Sequence, residues 1–141
     1  MSALPPMLPP LPVRDPLTTP FWDGCQRHEL LIQRCSACGS TRHPPGPLCL
    51  QCRSDQYEWI ASKGRGTVYS WIVVRHPIPA EVYADKVPYV VALIDLAEGV
   101  RVVSNIVGCE PEAVTAGMPV ELFFRQAAEN VTLPQFRPAQ S

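Results

Sequence analysis

Four cysteines fall close together in the stretch "CSACGSTRHPPGPLCLQC", which runs from Cys35 to Cys52. They form two CxxC pairs, Cys35/Cys38 and Cys49/Cys52, separated by the ten-residue spacer GSTRHPPGPL. A CxxC turn presents two sulfurs to one point, and two such turns complete the thiolate tetrahedron that Zn2+ prefers. Gly39 follows the first pair, where a tight knuckle calls for positive φ. Thiolates fill every position and leave none for water or substrate, so the indicated chemistry is one structural Zn2+ in a closed, all-cysteine site. Iron in a rubredoxin-like site would accept the same ligands, and the spacing alone does not separate the two metals. A redox dithiol fits poorly, because two pairs in one hairpin sequester each other on metal and no thioredoxin-like βαβ pattern surrounds them. His43, inside the spacer, is not required as a ligand. Cys25 and Cys109 stand alone and read as small buried hydrophobes.

The other chemically able side chains form no catalytic constellation. His28, His43 and His76 lie in separate segments, and no GxSxG, HExxH or phosphate-loop pattern is present. Gly64-Arg65-Gly66 reads as a flexible lead-in to a strand, and Asp95 and Glu98 read as solvated carboxylates beside a hairpin. The loop "RHPIPAEVYADKVP" mixes apolar residues with Arg75, His76 and Lys86. Read blandly it is a long connection. Read functionally, it is a contact for an acyl chain, for coenzyme A phosphates or for another protein.

These residues need elements to hold them. Seven of the 17 prolines fall in residues 1–20, so residues 1–18 are expected as a proline-rich arm, extended or disordered. It serves as a plain leader or as a partner-wrapping segment through Leu4, Met7, Leu8 and Leu11. Thr19 as N-cap and Pro20 at the first helical position predict a helix over "FWDGCQRHELL", with Phe21, Cys25 and His28 on one face and Trp22 beside them. Phe21 and Trp22 then either cap the core or form an interface patch, and Gly24 weakens the helix. "LLIQRC" and "TRHPP" predict the strands flanking a zinc knuckle. From Tyr57 onward the texture is β: "YEWI", "GRGTVYSWIVV", "YVVALIDL", "VRVVSNIV", "PVELFFR" and "VTLPQF" are strands by composition and length. Ala97-Glu98-Gly99 closes a hairpin, and Pro111 with Gly117 brackets a turn or two of helix. The fold class is therefore mainly β: an N-terminal helix and rubredoxin-like zinc ribbon over 19–60, then a five-stranded OB-fold barrel with a C-terminal tail over 61–141.

Composition sets outer bounds. The chain has 141 residues, 46% hydrophobic and 18% charged, with a net charge of −1. Residues 1–60 carry five Lys+Arg against five Asp+Glu, and the rest seven against eight. That balance opposes binding to a phosphate backbone, although Tyr69, Trp71 and Phe124 could stack on single-stranded bases. No secretory leader pattern and no membrane-spanning run stand out, which points to a cytoplasmic setting where clustered cysteines favour metal.

In combination, "TPFWDGCQRHELLIQRC", the double CxxC, "GRGTVYSW", "VPYVVALIDL", "GCEPEAVTAGMPV" and "LPQFRP" resemble the zinc-ribbon/OB-fold acyl-CoA-associated proteins, from about Thr19 to Pro138. Cys35, Cys38, Cys49 and Cys52 match that family's ligand positions. The resemblance implies a non-catalytic accessory subunit in a hetero-oligomer with a thiolase-fold enzyme, such as a lipid-transfer-protein-like aldolase of steroid side-chain degradation, an acyltransferase or a MaoC-type hydratase. The alternatives are a stand-alone acyl-CoA-binding module and, against the charge balance, a single-strand-binding OB-fold.

Overall fold

A computed structural model describes residues 9–140. The segment "YVVALIDL" shows how sequence becomes architecture. Val90, Ala92, Ile94 and Leu96 are buried, while the residues between them face outward. This period-2 pattern is that of a strand with one face on a core. Eight strands follow in chain order: β1 Leu31–Cys35, β2 Thr41–Arg42, β3 Tyr57–Ala61, β4 Arg65–Val74, β5 Tyr89–Leu96, β6 Arg101–Ile106, β7 Pro119–Ala128 and β8 Val131–Pro138. The helices are α1, Thr19–Gln26, and α2, Ala80–Tyr83, with a 3-10 turn at Pro111–Ala113.

The strands sort into two sheets. A three-stranded antiparallel sheet is ordered β2-β1-β3; Cys35 ends β1, and Cys38, Cys49 and Cys52 lie in the turns between its strands. The other five close into a barrel in the order β4-β5-β6-β8-β7. All its pairings are antiparallel except β6 with β8, which meet in parallel at Ile106 and Phe136. Beyond that pair the seam is spanned by side chains, such as the Ser104 hydroxyl donating to the Pro134 carbonyl at 2.7 Å. Pro134 can sit within β8 because its side of the strand faces this seam and needs no ladder donor. The five-stranded barrel, with its short helical turn between the third and fourth strands, is the expected OB-fold.

Local chemistry explains the corners. Gly66 lies so close to β5 that a Cβ there would be 2.6 Å from the Asp95 carbonyl oxygen. Gly64 holds φ at +74° against Leu122. The expected hairpin joins β5 to β6 with Asp95 opposite Arg101 and Gly99 at φ +89°.

Four expectations need correction. The helix cap is not Thr19. The Thr18 N–H donates to Asp15 Oδ1 at 2.8 Å and the Asp15 N–H to Thr18 Oγ1 at 3.2 Å, a reciprocal capping box one turn earlier. The helix also ends at Gln26. Glu29 N–H donates to the Gly24 carbonyl at 2.8 Å, and His28, at φ +63°, leaves the helical face to stack on Phe124 with ring centroids 5.1 Å apart. Gly24 is what permits this reversal, since a Cβ there would be 2.8 Å from Leu31 Cγ. Third, "TRHPP" supplies only a two-residue strand, because the prolines that follow cannot donate to a ladder. Finally, Asp95 and Glu98 are engaged rather than merely solvated. Asp95 accepts from Arg101 Nε at 2.6 Å and Nη2 at 3.1 Å, and Glu98 clasps the two sheets together as described below. Of the expected arm, residues 1–8 lie outside the described residues; nearer the helix, Arg14 pairs with Asp23 and donates to the Asn130 carbonyl.

Candidate metal centre and its flanking surfaces

The two CxxC turns repeat one backbone motif. In the first, the Gly39 N–H donates to the Cys35 carbonyl and the Cys35 N–H to the Ser40 carbonyl, at 2.9 and 2.8 Å. In the second, the Arg53 N–H donates to the Cys49 carbonyl and the Cys49 N–H to the Ser54 carbonyl, both at 2.9 Å. Gly39 and Arg53 occupy equivalent positions with φ of +81° and +67°. The first knuckle thus has the glycine that sequence reasoning expects, whereas the second puts an arginine in the left-handed region.

This repetition aims four sulfurs at one point. Cys35 and Cys52 Sγ are 3.6 Å apart, as are Cys38 and Cys49 Sγ, and all four lie within 4.8 Å of one another. Tetrahedral zinc with Zn–S near 2.3 Å would hold sulfurs at about 3.8 Å, so the cage fits the ion. Backbone N–H groups of Cys38 and Gln51 point at the Cys35 and Cys49 sulfurs at 3.5 and 3.4 Å. The Ser40 hydroxyl lies 3.1 and 3.2 Å from the Cys38 and Cys49 sulfurs. Hydrogen bonding from Ser40, then from the Cys52 and Gln51 backbone, lowers the Cys49 thiol to about 5. Cys35 is lowered as well, chiefly by the Cys38 N–H. At Cys52 the Ser54 N–H also lowers the thiol, but its cysteine neighbours and burial outweigh that and push it up to about 12. Holding all four sulfurs this close as thiolates needs a cation, and the donor set suits one structural zinc held by Cys35, Cys38, Cys49 and Cys52. The remaining cysteines are outside the cage. Cys25 is fully buried, and burial pushes its thiol up to about 12 against the pull of Arg14; burial and Glu110 raise Cys109.

The ribbon is fastened to the barrel through the β5–β6 turn. Glu98 accepts from the Ser62 hydroxyl at 2.7 Å and the Lys63 N–H at 2.9 Å, while its carbonyl accepts from Thr41 Oγ1 at 2.9 Å. Burial would raise this carboxyl, but those donors outweigh it and hold it below the ordinary range. The clasp therefore joins β2, the β3–β4 link and the barrel. No sequence motif announced it.

A second joint forms a pocket of about 320 Å³ at the β6–β8 seam. Phe21, Trp22, Leu133 and Pro134 are among its lining residues, with His43, Ser104, Asn105 and Gln135 as its polar members. Gln135 donates to Asn105 Oδ1 at 3.2 Å. Phe21 is buried and Trp22 half-buried, so the two alternatives foreseen for them meet in one place: they cap the core and line a groove. His43 sits 5.5 Å from the Phe21 ring, and burial keeps its pKa low.

The loop residues are placed elsewhere. Arg75 pairs with Glu112 at 2.9 Å, Lys86 Nζ donates to the Val82 carbonyl at 2.7 Å, and His76 is exposed. None of the three lines the seam pocket. Of the suggested stacking aromatics, Trp71 and Phe124 pack against the core. Tyr69 is exposed but lies under the Arg101 guanidinium, 3.5 Å from its ring centroid.

The sequence matches two family models in succession. Residues 22–58 match the rubredoxin-like zinc ribbon domain of ChsH2, and residues 59–125 match the C-terminal OB-fold domain of ChsH2. The chain belongs to the ChsH2 (DUF35) family. It is 47% identical over 120 residues to a probable enoyl-CoA hydratase alpha subunit of Thermomonospora curvata, covering 84% of this chain and 37% of that protein. It is 46% identical over 114 residues to the 3-oxo-4,17-pregnadiene-20-carboxyl-CoA hydratase alpha subunit of Mycobacterium tuberculosis, covering 81% and 35%. The chain thus spans little more than a third of these relatives. Its fold matches a chain of an Ltp2-ChsH2(DUF35) aldolase structure with a TM-score of 0.83 at 42% identity, over 90% of this chain and 98% of that one. Among the described residues no helix is long and apolar enough to cross a membrane, which leaves β-barrel spans unaddressed.

Proposed function

We propose that this chain is an accessory subunit that docks on and stabilises a thiolase-fold, Ltp2-type aldolase acting on acyl-CoA substrates, with steroid side-chain thioesters as the substrate class. The observation that carries this reading is its near end-to-end likeness to the chain in the Ltp2-ChsH2(DUF35) aldolase structure. The distribution of its own reactive groups supports it. The four ribbon thiols are turned onto one metal position, Cys25 is sealed in the core, and His28 and His43 pack on aromatic rings. The chemistry then belongs to the partner, and this chain supplies a rigid surface. The pregnadiene-carboxyl-CoA substrate named for the mycobacterial relative supports the steroid class. The two hydratase alpha subunits support a second reading, in which the partner is an acyl-CoA hydratase.

The test is to express an Ltp2-type aldolase with and without this chain. Soluble yield and carbon–carbon cleavage of a steroid acyl-CoA should both rise when the chain is present. An aldolase equally soluble and active without it would overturn the proposal; the same gain with a hydratase instead would favour the second reading.

A further inference from the structure

The outer wall of the barrel breaks the usual rule for a solvated sheet. Outward positions of an antiparallel strand facing water are normally polar. Along β4, β5 and β6 they include Ile72, Val91, Leu93 and Val103, which are neighbours by register: Ile72 lies opposite Val91, and Leu93 lies between Ser70 and Val103. Ile72 is 62% and Val103 67% exposed. Together they line a shallow hollow of about 170 Å³. At one end the β-bulge after Val68 turns Tyr69 outward beneath Arg101, whose charge Asp95 neutralises. Beyond the other end lies the 75–88 loop, with Ile78 73% exposed.

Resting on the function proposed above, we infer that this wall is where the acyl-CoA-processing partner subunit seats. Three observations choose that occupant. Three strands about 4.8 Å apart offer a footprint on the order of 300 Å², against about 800 Å² per partner in a stable complex. A second copy would set one convex wall on another and cover little more. A larger subunit with a concave face can continue past the wall onto Ile78 and the loop. The described part of the chain's own arm, residues 9–18, is fastened elsewhere, since Arg14 is tied to Asp23 and to Asn130 at the β7–β8 turn, across the barrel from β5. The rim is also neutralised within the chain, by Arg101 with Asp95 and Arg75 with Glu112. That suits a dry, lasting contact more than an electrostatically steered one.

The test compares wild type, Ile72→Lys/Val103→Lys and Leu50→Lys, each as the full zinc-loaded chain, titrated against an Ltp2-type aldolase by calorimetry. The changed side chains are exposed, so zinc content and melting temperature should match wild type; if the double variant melts early, Val103→Lys alone replaces it. Binding should weaken at least 100-fold in the wall variant and less than threefold in Leu50→Lys, at the ribbon tip. Wall variants that bind within threefold of wild type would overturn the inference while leaving the proposed function standing. Wild type that binds neither aldolase nor acyl-CoA hydratase would overturn both. A wild-type homodimer that the wall variant turns monomeric, or a wall freed only on deleting residues 1–8, would assign the surface to another occupant and overturn it too.

Discussion

Removing the Glu98 carboxylate should loosen the joint between ribbon and barrel without touching the metal cage. The side chain accepts two hydrogen bonds, from Ser62 Oγ at 2.7 Å and Lys63 N–H at 2.9 Å. Hydrogen bonds to a charged acceptor contribute about 1.5–3 kcal/mol each when dry. Glu98 is half-exposed, and water will replace part of what is lost, so Glu98→Ala should cost about 1–2 kcal/mol in total. That corresponds to about 3–7 °C in melting temperature for a domain of this size. The pH profile gives the sharper assay. The folded carboxyl is held below its ordinary value, so its contribution is fully present above the unfolded pKa of about 4.3 and is lost as pH falls through the folded value. Denaturant melts of wild type and Glu98→Gln, with zinc content checked at each pH, should show a gap that is constant from pH 6 to 8 and shrinks below about pH 4. A gap that stays constant to pH 3, or widens there, would refute the clasp as described.

Other substitutions probe the cage and the barrel. Cys49→Ser should drop zinc from one ion per chain to none by atomic emission, and amide exchange should show β1–β3 opening while β4–β8 stay protected. Gly66→Ala should lower stability by about 2–3 kcal/mol in denaturant melts, because the new Cβ meets the Asp95 carbonyl oxygen, a backbone atom that cannot swing away. Arg53→Gly should raise stability by about 0.5–1 kcal/mol, since φ at +67° suits glycine.

Much of this molecule is legible in its sequence, and the reasons differ by element. The zinc cage is visible because its ligands are local: two CxxC turns fix both chemistry and position. The barrel strands are visible because runs such as "YVVALIDL" and "VRVVSNIV" are rich in β-branched residues and of strand length. The start of α1 is misread because Asp15 and Thr18 form a capping box among prolines, upstream of the more obvious Thr19-Pro20. The end of α1 is misread because the meaning of Gly24 depends on Leu31, which packs against it only after the chain reverses. Glu98 and the β6–β8 seam are long-range features. Nothing near Glu98 in sequence says that Ser62, Lys63 and Thr41 will arrive beside it. The apolar outer wall is not legible, because a nearly continuous apolar run such as "YVVALIDL" does not say which of its residues end on an uncovered face.

In the function proposed for this chain, the zinc ribbon and barrel together form a docking subunit. The most direct test of that role is light scattering on the co-expressed, co-purified pair of this chain and an Ltp2-type aldolase, with zinc measured in the same peak. A single mixed species carrying one zinc per copy of this chain is expected. A zinc-loaded 15.6 kDa monomer, eluting apart from a soluble, active aldolase, would contradict it.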